Sequence, residues 1–450
     1  MKTCDLDRFK PSPNALLCIL SILLVSLSFP GMPAPWLAGV AMAPLFIAAD
    51  NAKNCAPVLG LWAFTWWCWS IHWILPATIN FIGISAILAG ILWLLFCAFL
   101  SLPYWIIGYF WHRICITQSF FLNTALQTLL FTVFASSTQW LIPANPAHSL
   151  YIYPQIIQVV DIGGIPLLLL GLVAVNISLA KAIQNKASIA MLCGAGLIVL
   201  LFFVYSHIRI VQFDAQKSVN RISIGILQPN LQRQDAVDPL FHLTERLTTH
   251  NTGIDLIVWP EIPPAFSWQE NKNDRDNIKA LIEKTKKPIL LNSGYIYQND
   301  PSGEDNPRSY YNAAQLLSSD AELLGSYHKQ ILVPLFEYLP FEKSFPLIRH
   351  WFPDALRYIS GDKFSPLIFG NTHIAPLICF EMLFPHYVRQ QTNKGAHIII
   401  NLSNDSWFQT SKGSINHFSL AIFRSVENKI PWVRVSNGGI SASVSGTGII

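Results

Sequence analysis

The sequence predicts a two-part chain: a helical membrane domain of about seven spans over residues 1–206, then a polar α/β domain over residues 207–450. Three observations predict it. Charge is split, with seven Lys/Arg and four Asp/Glu before residue 207 and the remaining 23 and 22 after it. The first part is a series of apolar runs, most of them near the roughly 20 residues that cross a bilayer. The second part alternates short apolar strands with amphipathic or polar segments.

The apolar runs lie near 14–31, 35–49, 55–75, 81–110, 119–137, 163–183 and 188–206. The first follows a basic stretch but lacks a small-x-small cleavage site, so it reads as an uncleaved helix rather than a signal peptide. The second is short and holds Pro35 and Pro44, which predicts a broken or re-entrant span; membranes tolerate Pro where neighbours satisfy the backbone. Cations are retained on the cytoplasmic side. With the N-terminus inside, seven spans put Lys2, Arg8, Lys10, Lys53, Arg113, Lys181 and Lys186 all in cytoplasmic segments. The loops near 31–35, 76–80 and 138–162, which carry no Lys or Arg, then face outward. An odd number of spans delivers residues beyond 206 to the outer side. Trp62, Trp66, Trp69 and Trp73 recur on one helix face, with Trp67 beside them. They read either as packing, with Trp73 in the outer interface belt, or as the wall of a lipid entrance.

In the polar half, strands are expected at Ile222–Leu227, Ile254–Trp259, Pro288–Gly294, Ala313–Leu317, Leu323–Tyr327, His373–Cys379, His397–Leu402 and Pro431–Ser436. Helices are expected near 239–250, 273–285 and 416–428, with a helix-like stretch from Met382. The segment 296–310, rich in Asn, Asp, Pro and Ser, reads as a polar surface loop. Near-balanced charge in this half argues against nucleic acid as a partner.

Seven of the eight cysteines lie in or beside the apolar half, and Cys379 stands alone in the polar half. With no partner there it does not belong to a disulfide framework. It is either a nucleophile presented at a strand end or a buried structural thiol. Two more residues stand where a strand gives out: Glu261, after Pro260, and Lys329, in Tyr327-His-Lys329. Each alone is as well explained as a surface charge, but together their chemistry is complementary. A thiol with a pKa near 8.5 needs a base within reach, and a carboxylate in a partly dry site is raised toward that task. A lysine ammonium offsets the repulsion between carboxylate and thiolate and stabilises the oxyanion of a tetrahedral intermediate, together with the main-chain N–H that follows Cys379.

Those motifs carry a resemblance. Trp259-Pro-Glu261, His328-Lys329-x-x-Leu-Val-Pro334 with Glu337-Tyr-Leu-Pro340, and Cys379-Phe380-Glu381 resemble the Glu, Lys and Cys motifs of the nitrilase superfamily. Asn401-Leu-Ser-Asn404-Asp-Ser-Trp407-Phe408, with His417, Arg424 and Glu427, and the multi-span first half narrow the likeness. Over nearly its whole length the chain resembles the apolipoprotein N-acyltransferases of bacterial envelopes; Gln158, Gly163 and Gly164 also fit that pattern.

The resemblance implies an α-β-β-α sandwich on the outer face of the inner (cytoplasmic) membrane, with Glu261, Lys329 and Cys379 catalytic. It implies ping-pong acyl transfer from a phospholipid, typically phosphatidylethanolamine, through a Cys379 thioester to the α-amine of a lipoprotein's diacylglyceryl-cysteine. The partners are then the phospholipid donor, apolipoprotein acceptors and membrane lipids, and neither metal nor other cofactor is required. Glu337 and Glu381, with Phe380 beside the nucleophile, are expected to support the site, with surface ion pairing as the alternative for both glutamates. Tyr327, Asn404, Trp407 and His417 are expected as weaker substrate contacts, and His328 and Asn401 as further neighbours; a hydrogen-bonded core role is the alternative for these six. Phe336, where the family has a small residue, and Val237, where it often has a tryptophan near 235–238, depart from the pattern and suggest an altered lipid preference. The family pattern continues beyond Ile450 with more sheet and a last membrane helix, so a chain ending there is expected to be less stable than a longer relative. A membrane-tethered amidase using the same three residues, or an inactive truncated copy, are the competing readings.

Overall fold

A computed structural model describes residues 12–115, 117–184, 187–215, 221–231, 237–261, 266–296, 310–352, 357–362, 365–408 and 412–450. The N-terminal Lys2, Arg8 and Lys10, Lys186 and most of the polar loop 296–310 lie outside these residues. Two compact units emerge: residues 1–72 with 90–211, and residues 73–89 with 212–450.

The first unit is helical: α1 (Pro13–Ser28), α2 (Ala38–Ala41), α3 (Ala43–Asn51), α4 (Ala56–Ser70), most of α6 (Ala86–Phe110), α7 (Phe120–Ser136), α8 (Pro154–Ile157), α9 (Val160–Ile183) and most of α10 (Ser188–Ala215). α5 (Ile74–Ala77) falls in the other unit. Three of these helices, α6, α9 and α10, are long and apolar enough to cross a membrane. α4 with residues 74–80, bent by 52°, raises the number to four if the pair is one span. The expectation of about seven is not met by length: α1 and α7 are apolar but have 16 and 17 residues.

The run 35–49 is broken, as its prolines require. Pro44 sits at the start of α3, and the freed main-chain N–H groups of Met42 and Ala43 are taken by Asn176 Oδ1 of α9 at 2.8 and 3.0 Å. Trp62, Trp66 and Trp67 are buried within this unit, Trp66 and Trp67 with ring centroids 4.6 Å apart, so these three are helix packing. α9 is kinked at Gly163 and Gly164; Gly164 has φ 64° and ψ −170°, a conformation open essentially to glycine alone.

The second unit holds two five-stranded sheets. One runs β1 (Ile224–Ile226), β2 (Leu256–Val258), β3 (Ile289–Ile296), β4 (Tyr310–Leu317), β5 (Leu323–His328). The other runs β10 (Ala442–Val444), β9 (Trp432–Ser436), β8 (Ile398–Ser403), β7 (Thr372–Ile378), β6 (Leu367–Phe369). β1 to β3 are mutually parallel, as are β7 to β9.

Side chains alternate across a strand, and here both faces are covered. Leu256, Val258, Leu290 and Leu316 meet Ile378, Ile400 and Leu402 in a core between the sheets. Ile257, Trp259, Ile289 and Leu291 face the other way, against Leu240 of α11 (Asp238–His250) and Ile278 and Leu281 of α12 (Lys272–Thr285). Burial on both faces explains why β2 reads as a continuous apolar run. On the far side of the second sheet, α15 (Gly413–Asn428) packs Phe418 on Trp432 at 5.8 Å and lies beside α14 (Pro385–Thr392). The short helix α13 (Ile348–Trp351) belongs to the loop before β6. β6 and β10, three residues each, are absent from the sequence reading.

Candidate active site

Three strands give out at one place in this unit. β7 ends at Ile378, and Cys379 opens a 3₁₀ turn, Cys379–Leu383, with φ +52°. That left-handed conformation costs a residue other than glycine about 1–2 kcal/mol, and it turns the chain sharply at the thiol. Pro260 closes the segment after β2, placing Glu261 beyond it. Lys329 follows β5; its N–H donates to Asn312 O (2.8 Å) and its carbonyl accepts from Gly361 N–H (2.8 Å), so its backbone is held at both ends.

The side chains of Glu261, Lys329 and Cys379 meet in a pocket that is almost closed. Lys329 is 1 % exposed and Cys379 4 %. Lys329 Nζ lies 2.8 Å from Glu337 Oε1 and 3.6 Å from Glu261 Oε1. The buried Cys379 thiol and the Glu261 carboxylate act on each other electrostatically. Asn312 Nδ2 donates to Glu261 Oε1 (2.8 Å) and also reaches Glu337 Oε1 (3.4 Å), and its own oxygen accepts from Asn292 Nδ2 (2.6 Å).

Burial sets the proton balance. It pushes the Cys379 thiol up, the Glu261 carboxylate adds to this, and Lys329 opposes it. Burial raises Glu261 too, against the pull of Lys329 and with help from Glu337. Burial pulls Lys329 down, but Glu337 and Glu261 hold its ammonium well above the usual range. The resting site is therefore a neutral thiol beside a base of raised pKa, with a fixed positive charge next to both.

Glu337 and Glu381 do different work. Glu337 pairs with Lys329 and accepts from Val333 N–H (2.8 Å), so one carboxylate fixes both the ammonium and its loop. Glu381 is fully buried. It accepts from Ile378 N–H (2.7 Å) on the cysteine turn, from Gln330 and Ile331 N–H (2.7 and 3.1 Å) on the lysine loop, and from the Tyr327 hydroxyl (2.7 Å). Neither glutamate is a surface ion pair. Phe380 is half-buried against Phe384.

Of the expected substrate contacts, Tyr327 and His417 turn inward: Tyr327 bonds Glu381 and Tyr387, and His417 Nδ1 lies 2.9 Å from Asp405 Oδ1. Asn404 shapes its own turn, accepting from Ser406 N–H and Oγ. Trp407, half-buried like Asn404, lies in a ring cluster with Phe408, Phe336 and Trp73. Phe336 thus fills space against Trp407, Val237 packs on the core under α11, and His328 stacks on Tyr311 at 4.2 Å. Sequence reasoning missed Asn292, Asn312, Tyr387, Asp405 and Arg434. The signal for the two asparagines was an amide inside an otherwise apolar strand, where burial demands a partner. Among the described residues no cluster could hold a metal ion.

Residues 210–450 match the family profile described as carbon-nitrogen hydrolase, and residues 21–178 match that of the apolipoprotein N-acyltransferase N-terminal domain. Among curated proteins the chain is similar to an apolipoprotein N-acyltransferase of Geobacter metallireducens, 27% identical over 99% of this chain and 88% of that one. It is also similar to one of Borreliella burgdorferi, 26% identical over 90% and 80%. Among solved structures, Saccharomyces cerevisiae Nit3, a member of branch 10 of the nitrilase superfamily, aligns over 52% of this chain and 87% of that one, at 19% identity and a TM-score of 0.40.

Proposed function

The chain belongs to the carbon-nitrogen hydrolase family, and from that premise we propose that it is a membrane-bound acyltransferase that N-acylates apolipoproteins. The acyl donor is a phospholipid, with phosphatidylethanolamine the expected one, and the acceptor is the α-amine of the N-terminal diacylglyceryl-cysteine. The observation that carries this reading is a buried carboxylate 3.6 Å from a buried ammonium, with a buried thiol whose charge both affect, in a chain that also holds helices able to cross a membrane. The names of the relatives over nearly the full chain support the choice of acceptor.

In the first half-reaction Glu261 takes the thiol proton as Sγ attacks the ester carbonyl. The oxyanion is stabilised by the Lys329 ammonium and the N–H of Phe380. Collapse breaks the acyl–oxygen bond, Glu261 returns the proton to the departing lysophospholipid, and a thioester remains on Cys379. In the second half the neutral amine attacks the thioester carbonyl, Glu261 takes its surplus proton, and that proton goes to the leaving thiolate. The products are an amide and the free thiol. An α-amine titrates near 7.7–8.0, so a useful fraction is already neutral. Conversion of a thioester to an amide drives the exchange. Glu337 and Glu381 act through Lys329 and the two loops. Under this reading the α/β domain lies on the periplasmic side of the bacterial inner membrane.

The test is to incubate purified protein with acyl-labelled phospholipid and no acceptor, then weigh the Cys379 peptide. The expected result is an acyl adduct that is absent in Cys379→Ala and is discharged faster by a diacylated lipopeptide than by water. A folded protein that forms no adduct overturns the proposal. Rapid release of free fatty acid without acceptor would instead assign a hydrolase.

A further inference from the structure

The β7–β8 ladder ends with Ile378 opposite Leu402, so the Cys379 carbonyl lies past the last rung. Beside the 3₁₀ turn that Cys379 opens, a side chain takes the place of the missing rung. Asn401 of β8 directs Nδ2 to Leu377 O at 3.2 Å and to Cys379 O at 3.4 Å. An amide can aim its nitrogen there only if its oxygen is claimed elsewhere. Asn401 Oδ1 accepts from Nη1 of Arg434, its register partner on β9, at 2.9 Å.

Arg434 is itself locked. Its Nη2 donates to both Asp405 oxygens (2.8 and 2.7 Å) and to Ser403 Oγ (3.0 Å), and His417 Nδ1 lies 3.0 Å away. Asn401, Ser403, Asp405 and Arg434 are at most 1 % exposed, so water does not compete for these bonds. α15, which carries His417, packs on the turn that begins at Cys379.

A trans peptide points its C=O and N–H in opposite directions. The Cys379 carbonyl and the Phe380 N–H belong to one peptide unit. Drawing the carbonyl toward Asn401 therefore turns that N–H away from Asn401. We propose that Asn401 is a positioning residue that sets the plane of the Cys379–Phe380 peptide, and thereby the oxyanion donor, with Arg434 and Asp405 locking its amide. This rests on Cys379 being the acyl-accepting nucleophile, and it requires no particular lipid donor.

The experiment uses the full chain in detergent and p-nitrophenyl butyrate, with the nitrophenolate burst and the adduct mass at Cys379 as readouts. In parallel, the rate of Cys379 alkylation by iodoacetamide is followed by peptide mass; that reaction forms no oxyanion. Asn401→Asp keeps the acceptor for Arg434 and removes the donor. The expected result is a fall in acylation kcat of roughly a hundredfold, with KM and the alkylation rate within about twofold of the parent. Unchanged kcat overturns the proposal, and so does an equal fall in acylation and alkylation, which marks general disruption. If Asn401→Asp does not fold, Arg434→Lys decides; it keeps the charge opposite Asp405 but loosens the hold on Asn401 Oδ1, and the same split is expected. A parent chain that is alkylated but accepts no acyl group from the ester refutes the nucleophile itself. One that accepts it from the ester and not from phospholipid refutes only the donor.

Discussion

At the scale of the residue, burial raises both Glu261 and Cys379, and under the proposed reaction the proton passes between them. A base works only when ionised, so the acid limb of the acylation rate follows Glu261 and should lie above the ordinary glutamate value of about 4.3. Glu337 is one of the groups raising Glu261. Removing that charge in Glu337→Gln leaves burial as the main opposition to Lys329, so Glu261 falls and the acid limb moves to lower pH. kcat should drop at the same time by roughly tenfold or more, since Lys329 loses its 2.8 Å partner. A pH–rate profile of Cys379 acylation checks both, and an acid limb that stays put would show that Glu337 does not tune Glu261. The triad itself was legible in the sequence because each member follows a strand and has a reactive side chain. Its supports were less so: Asn312 reaches Glu261 51 residues away and Arg434 reaches Asp405 29 residues away, and no local pattern announces such pairs.

At the scale of the element, turns rather than strands carry the information. Strands β2, β7 and β8 were readable as apolar runs because both of their faces are buried. β6 and β10 were not, since they are short and only partly buried, and so lack the continuous apolar run that marks the equally short β2. Membrane helices show the same limit from the other side. Apolar character marked the runs, but whether a run forms one helix depends on Pro, Gly and the neighbour that satisfies the break, as Asn176 does for Met42 and Ala43. The kink in α9 yields a direct expectation. Gly164→Ala forces a side chain into a conformation that only glycine tolerates and should cost about 1–3 kcal/mol, read as a lower thermal midpoint in detergent. A variant as stable as the parent would mean that α9 does not need the kink.

At the scale of the whole molecule, the α/β unit is not the contiguous second half of the chain that the charge split suggests. Residues 73–89 cluster with residues 212–450, and Trp73 meets Phe408 and Trp407 edge-on, with centroids 4.8 and 6.2 Å away. The signal was a tryptophan, which from sequence is equally at home in an interface belt. Two such ring pairs contribute about 2 kcal/mol, worth roughly 4–8 °C in a domain of this size. Residues 212–450 expressed alone should therefore melt lower than the same unit in the full chain and should associate through Phe408 and Trp407. A monodisperse fragment with an unchanged melting point would show that 73–89 is dispensable.

That interleaving also sets an order of events during synthesis. Trp73 leaves the ribosome more than 300 residues before Phe408 does. The helices that follow residue 89 are made in between, so the nascent chain can assemble its helical unit while residues 73–89 still await their partners. Contacts this distant along the chain form last and slowly. For most of translation, then, an aromatic segment needs a temporary occupant, and the α/β unit can finish folding only after the polypeptide has passed residue 408.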